Sequence, residues 1–254
     1  MEIIIAIFMF IIGTVLGSFY NVVGYRIPKG QSIVSPPSHC TNCNHRLGAL
    51  ELIPILSYLI QGGKCKHCKA KISPFYMCFE LLCGILFTPA YLSFGLDLRL
   101  IIALSFISML IIIVVSDYNF MIISDSVLIF FTILLSIEIG LIDGIIPLLK
   151  GLGQGILAFL TMFIIKKIGD YAFKKESMGG GDIKLVFVFG LVLGYPMSIL
   201  SIFLGSVIGL PISLITLKTN TEHIIPFGPF LAAGAVIILL LGIDLNTIMD
   251  LYDL

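Results

Sequence analysis

The stretch KESMGGGDIKLVFVFGLVLGY, Lys175 to Tyr195, sets an ionisable residue, Asp182, behind three glycines at the entrance of an apolar helix. A carboxylate near membrane depth is costly and is usually kept for function. Gly179, Gly180 and Gly181 permit backbone angles closed to other residues and let another segment approach closely. In the first turn, Asp182 can accept from free backbone N–H groups, and the helix dipole favours its charged form. An ordinary N-cap aspartate after a flexible loop is the competing reading.

Outward from that stretch, the composition makes lipid the main solvent. Of 254 residues, 58% are hydrophobic and only 12% charged, with a mean hydropathy of +1.11. A soluble chain of this length could not cover so much apolar surface. The predicted fold is therefore an all-α polytopic membrane protein. Apolar runs near 2–23, 75–93, 99–116, 125–142, 147–166, 183–197, 198–217 and 226–243 give about eight transmembrane helices. The sixth is short, and Gly194-Tyr195-Pro196 marks the turn after it. Seven spans with a re-entrant segment at 183–197 is the alternative. Glu2 after Met1 and the lack of an A-x-A site make the first run a retained anchor.

Cationic residues orient the chain. With the N-terminus outside, thirteen face inward: Arg26, Lys29, Arg46, Lys64, Lys66, Lys69, Lys71, Lys166, Lys167, Lys174, Lys175, Lys184 and Lys218. Only Arg99 and Lys150 face outward, and the positive-inside rule selects this topology. The acidic tail, Asp244, Asp250 and Asp253, then lies outside. Three parts are expected: the anchor 1–23, a cytosolic loop domain 24–74, and a membrane domain 75–254. A net charge of zero implies no nucleic-acid partner. No period of 20–50 residues is read in the chain.

The loop carries HCTNCNHR and GGKCKHCKAK, so that Cys40-x-x-Cys43 is followed by Cys65-x-x-Cys68. Two such pairs read as a tetrahedral thiolate site for Zn2+. A loop of this size builds little core, so a structural metal would supply folding energy. Disulfides or free thiols are the competing reading, and a reducing cytosol argues against disulfides. His39, His45 and His67 are spare, and Cys78 and Cys83 read as small apolar residues of the second span.

A second acid bears on Asp182. IIIVVSDYNFMIISDSVLIFF, Ile111 to Phe131, puts Asp117 at the end of the third span and Asp125 at the start of the fourth. Helix parity places both on the side of Asp182. Two carboxylates sharing one proton can activate water against a peptide carbonyl. The catalytic candidates are therefore Asp117 and Asp182. Dipoles at the two helix ends suggest that Asp182 is the resting base and Asp117 holds the proton. Gly179, Gly180, Gly181, Asp125 and Lys184 would support that corner. Glu80, inside the second span, is a candidate for meeting a basic substrate; Lys184 can neutralise a carboxylate.

These residues resemble the prepilin peptidases, the type IV leader peptidases with a GxGD aspartic-protease site. The likeness covers nearly the whole chain. It rests on LGSFYNVVGYRIP (Leu16 to Pro28), ELIPILSYLIQGGKC between the cysteine pairs, ISPFYMCFELL, MGGGDIKL and IPFGPFLAAGA (Ile225 to Ala235). The resemblance implies removal of a basic leader from prepilins and pseudopilins at the cytosolic face. The cut would follow a glycine, just before the substrate's apolar helix. It also implies N-methylation of the new terminus with S-adenosylmethionine, in the inner or plasma membrane. Asp117 and Asp182 match the catalytic positions, and Asp125 matches an acid that follows a proline in the family. Here Ser124 replaces that proline, and Asn119 replaces a second acid.

Two other classes compete. A cation-coupled transporter would place its acids at broken helices near the bilayer midplane. A zinc-bearing assembly scaffold would tolerate Asp→Asn changes.

Overall fold

The computed structural model describes residues 1–219 and 225–243. The acidic tail lies outside those residues. Nine α-helices run through them: α1 Glu2–Arg26, α2 Leu56–Ile60, α3 Pro74–Phe94, α4 Arg99–Phe120, α5 Asp125–Ile142, α6 Ile145–Phe173, α7 Gly180–Leu193, α8 Tyr195–Thr219 and α9 Gly228–Leu241. No strand occurs among the described residues; two isolated bridges are the nearest thing to one. The all-helical membrane fold is as expected.

Six helices are long and apolar enough to cross a bilayer: α1, α3, α4, α5, α6 and α8. The α7 and α9 helices have 14 residues each, about 21 Å at 1.5 Å per residue. A hydrocarbon core is about 30 Å thick, so these two stop short of a full crossing. The count of about eight becomes six full-length helices and two short ones.

The chain forms two compact units, residues 1–95 and 96–254. In the first, α3 lies along α1 through small residues. A Cβ on Gly13 would come 2.8 Å from the Cys83 carbonyl oxygen, and one on Gly17 would come 2.8 Å from the Cys83 Cβ. This is a G-x-x-x-G face, which lets two backbones touch in lipid, where dispersion must replace the hydrophobic effect.

The second unit repeats the device twice. Gly151 and Gly155 of α6 face the carbonyls of Leu191 and Phe187 on α7, and Gly205 and Gly209 of α8 face Phe230 on α9. Within it α4 is central: 78% of its most apolar stretch is buried, against 22% to 28% in the other full-length helices. It packs on α5 and α9, while α7 lies against α5, α6, α8 and α9.

The loop before α3 does contain a repeat, contrary to the sequence expectation. His39 bridges Arg46, and Lys64 bridges Lys71, at a constant offset of 25 residues. In each knuckle the first cysteine's carbonyl accepts from the residue four further on: Asn44 N–H to Cys40, 2.9 Å, and Lys69 N–H to Cys65, 3.0 Å. Asn44 and Lys69 are both left-handed, with φ of 57° and 61°. Outside the cysteines the two copies share almost no residue types, so backbone conformation carries the repeat and letters conceal it.

Candidate active site and metal knuckles

Three helix ends meet at the acidic corner of the second unit. Asp117 lies one turn before the end of α4 and is buried. Its Oδ2 accepts from the Gly228 N–H at 2.9 Å. Gly228 opens α9, and Pro229 follows it in the first turn, a common helix start. A Cβ at Gly228 would sit 2.7 Å from Asp117 Oδ2, so only glycine brings the amide this near.

Beyond Asp117 the chain turns sharply. Met121 takes the left-handed conformation and its N–H bonds the Asp117 carbonyl at 2.8 Å. The Ser116 hydroxyl bonds the Ile122 carbonyl. That turn aims Ile123 at Gly181, where a Cβ would come 2.7 Å from the Ile123 Cβ. The contact docks the start of α7 against the α4–α5 turn.

The glycine run therefore works differently from the first expectation. None of Gly179, Gly180 and Gly181 has a positive φ, so special backbone angles are not their purpose. Close approach is. Gly181 meets Ile123, a Cβ on Gly179 would lie 3.2 Å from the Asp182 Oδ2, and Gly180 faces open space. Nor is Asp182 the N-cap. Gly179 is, and Asp182 stands three residues on, its carboxylate accepting from the Gly179 N–H. Reaching back this way is half of a capping box.

Asp182 is half-buried and feels the charge of Asp117, so the two carboxylates lie within electrostatic reach of each other. Lys166 of α6 also acts on Asp182, and it forms an ion pair with Glu176 at 2.7 Å. Lys184 grips both oxygens of Asp125, at 2.7 and 2.8 Å. Sequence reasoning missed Gly228, Ile123 and Lys166. Only the Gly-Pro pair at the head of the last apolar run hinted at the first.

Beside the corner, a groove of about 520 Å3 runs between α5, α6 and α7. Leu128, Ile133, Ile156, Phe159 and Phe187 make its walls apolar, with Asp125 and Lys184 also lining it.

In the first unit, the sulfurs of Cys40, Cys43, Cys65 and Cys68 all lie within 4.8 Å of one another. Cys40 and Cys68 are 3.8 Å apart, the separation that a tetrahedron with metal–sulfur bonds of about 2.3 Å requires. Four thiols at this spacing can hold a metal ion. An N–H from Ala70, then the Asn42 amide, brings the Cys68 thiol down to about 6, whereas the Cys43 thiol is pushed up to about 12. His45 and His67 stack on each other, 4.9 Å between centroids, and leave the sulfur set complete without them.

Glu80 turns inward rather than toward water. It is buried, accepts from the Ile55 N–H at 2.8 Å and bonds the Ser18 side chain.

A polytopic helical protein with paired carboxylates at a helix-end corner and a separate thiolate cluster is what these features define. Residues 11–94 match the Bacterial Peptidase A24 N-terminal domain, and residues 104–214 match the Type IV leader peptidase family. Among curated proteins, the prepilin leader peptidase/N-methyltransferase of Bacillus subtilis (strain 168) is 40% identical over 92% of this chain and 93% of its own. The protein of that name from Myxococcus xanthus (strain DK1622) is 35% identical over 83% of this chain and 64% of its own. That from Pseudomonas putida is 27% identical over 91% and 89%. No solved structure matches the chain. The chain belongs to the type IV leader peptidase family.

Proposed function

We propose that this chain is a membrane-embedded aspartic endopeptidase that removes the basic leader of prepilins and pseudopilins at the cytosolic face, and that it N-methylates the new terminus. The juxtaposition of Asp117 and Asp182 carries the reading. One carboxylate takes a proton from water as its oxygen attacks the scissile carbonyl, and the other gives a proton to the carbonyl oxygen. Collapse of the tetrahedral intermediate then breaks the C–N bond, and the proton passes to the leaving amine.

Two carboxylates that interact share their protons, so the pair rather than either residue is the chemical unit. Lys184 and Asp125 brace the α5–α7 side of the corner, and Gly179 to Gly181 leave room for an extended peptide. The short α7 and α9 set the corner below full membrane height, where water and the head of an apolar substrate helix can meet. Glu80 belongs with the substrate-binding residues, in a unit apart from the dyad.

Zinc is the metal that best suits four thiolates at this spacing, and Cys40, Cys43, Cys65 and Cys68 would hold it as a structural ion. S-adenosylmethionine would supply the methyl group. The apolar groove offers little beyond Asp125, Lys184 and Thr132 to meet its adenine, ribose and amino-acid head, so the groove does not fit that molecule. No methyl-transfer step is assigned to it.

The orientation with the N-terminus outside and the corner toward the cytosol follows from the thirteen inward cations, in the inner or plasma membrane. A transporter would hold its acids at mid-bilayer, whereas Asp117 lies within a turn of the end of α4 and Asp182 in the first turn of α7. Membranes carrying the chain should cut a prepilin-like peptide after the glycine that precedes its apolar helix. Survival of cleavage in Asp117→Asn or Asp182→Asn would sink the reading.

A further inference from the structure

The first unit contains a second polar cluster that the peptidase chemistry does not use. Asn21, on the last third of α1, is only 3% exposed. Its Nδ2 donates to the Tyr76 carbonyl at 3.1 Å. That bond fixes which way the amide faces, and it leaves Oδ1 buried with no hydrogen-bond partner. One turn away on each helix, Ser18 meets the carboxylate of Glu80, itself only 9% exposed. A buried acceptor left unpaired costs about 1–3 kcal/mol, so a native fold keeps one where a donor arrives from outside.

The cluster is rich in acceptors: an orphan amide oxygen, a carboxylate with capacity for several donors, and a hydroxyl. Such a set suits a primary ammonium, which carries three N–H donors and no acceptor. The Ile55 N–H now occupies one of those places on Glu80. Ile55 holds φ +62° and ψ −54°, an outlier for a β-branched residue. The turn that bonds Glu80 is thus strained, and displacing it would free that place on the carboxylate.

We propose that Asn21 and Glu80 receive the α-ammonium of the processed pilin, the group that methylation later modifies. The inference rests on the reading of this chain as a leader peptidase and N-methyltransferase. Depth favours the α-amine over a leader lysine. Glu80 stands in the second turn of α3, at the level where the head of an apolar substrate helix ends, whereas leader lysines belong in water. The cluster also belongs to a compact unit that does not contain the carboxylate pair, in keeping with a reaction separate from cleavage.

The test is binding in detergent or nanodiscs, with no methyl donor present. The probes are a synthetic mature-pilin N-terminal peptide, its N-acetylated form, and a leader peptide with free lysines. Wild-type protein should bind the free-amine peptide about tenfold or more tightly than the acetylated one, the worth of one charge-assisted hydrogen bond. Asn21→Leu and Glu80→Gln should erase that preference. Thermal unfolding, and binding of the acetylated peptide, which should be unchanged, serve as the folding controls for both variants. Equal binding of the free and acetylated peptides by wild-type protein overturns the proposal. So does a preference that survives both substitutions, or one that follows leader lysines instead. Cleavage of an intact prepilin by the same wild-type preparation is measured beside it. Its absence would instead count against the peptidase reading.

Discussion

The cysteine knuckles and the acidic corner are both small polar sites, yet they are assembled in opposite ways. Each knuckle closes within eight residues, by an i to i+4 turn that any sequence able to adopt one left-handed residue can form. The corner draws Asp117, Ile123, Gly181, Asp182 and Gly228 from three helix ends, and the hydrogen bond from Gly228 to Asp117 spans 111 residues of chain. A site built locally survives as a spacing in the sequence. A site built by helix packing exists only while those helices hold their depth and register, so small steric changes far from an acid should damage it.

That contrast breaks first at the acids. Asp117→Asn or Asp182→Asn should lower kcat/KM for prepilin cleavage by about a thousandfold or more, since the loss is of transition-state chemistry. Expression and thermal unfolding should change little. The remaining activity should lose the pH dependence that the pair confers, as a pH–rate profile would reveal.

Next comes metal. Cys65→Ser, or stripping with a strong chelator, should empty the knuckles and open residues 30–72 to protease, because ion binding at such sites carries about 10 kcal/mol or more of folding energy. Metal analysis and limited proteolysis read this directly. A chain that keeps a protease-resistant loop without metal would contradict a structural role for the ion.

The packing glycines sharpen the comparison. Gly228→Ala would force a methyl to within 2.7 Å of Asp117 Oδ2, and Gly181→Ala would do the same against Ile123. Each should cost about ten- to a hundredfold in kcat/KM, the scale of an ångström of misplacement. Gly180→Ala faces open space and should stay within about twofold of wild type. Equal damage at Gly180 and Gly181 would show that flexibility, rather than approach, is what the run provides.

Smallest of all is the ion pair. Lys184 and Asp125 are 51% and 59% exposed at the side chain, and exposed pairs are worth about 1 kcal/mol or less. Lys184→Met should therefore lower activity less than about fivefold, and Asp125→Asn similarly. The double variant should be hardly worse than either single change.

Much of this was legible in the letters. Apolar run lengths announced every long helix, because a bilayer sets a minimum length and leaves few other solutions. The two C-x-x-C pairs announced the knuckles, and GGGD with the acid after VVS announced the carboxylates. The knuckle repeat was hidden because conformation, not residue type, is what the two copies share. The three G-x-x-x-G faces passed as ordinary glycines in apolar runs. So did the role of the glycine run, which reads the same whether it supplies unusual angles or clearance.

What composition and spacing determined alone was the solvent, the approximate helix list and the chemical types at each site, because those follow from local periodicity and ligand preference. Tertiary structure decided which acid meets which helix end, that Gly228 rather than a neighbour on α4 supplies the amide to Asp117, and that Glu80 faces inward beside an unpaired Asn21. Such pairings depend on how deep each helix sits against the others. That depth is set by backbone-to-backbone contact at glycines far from the groups they bring together.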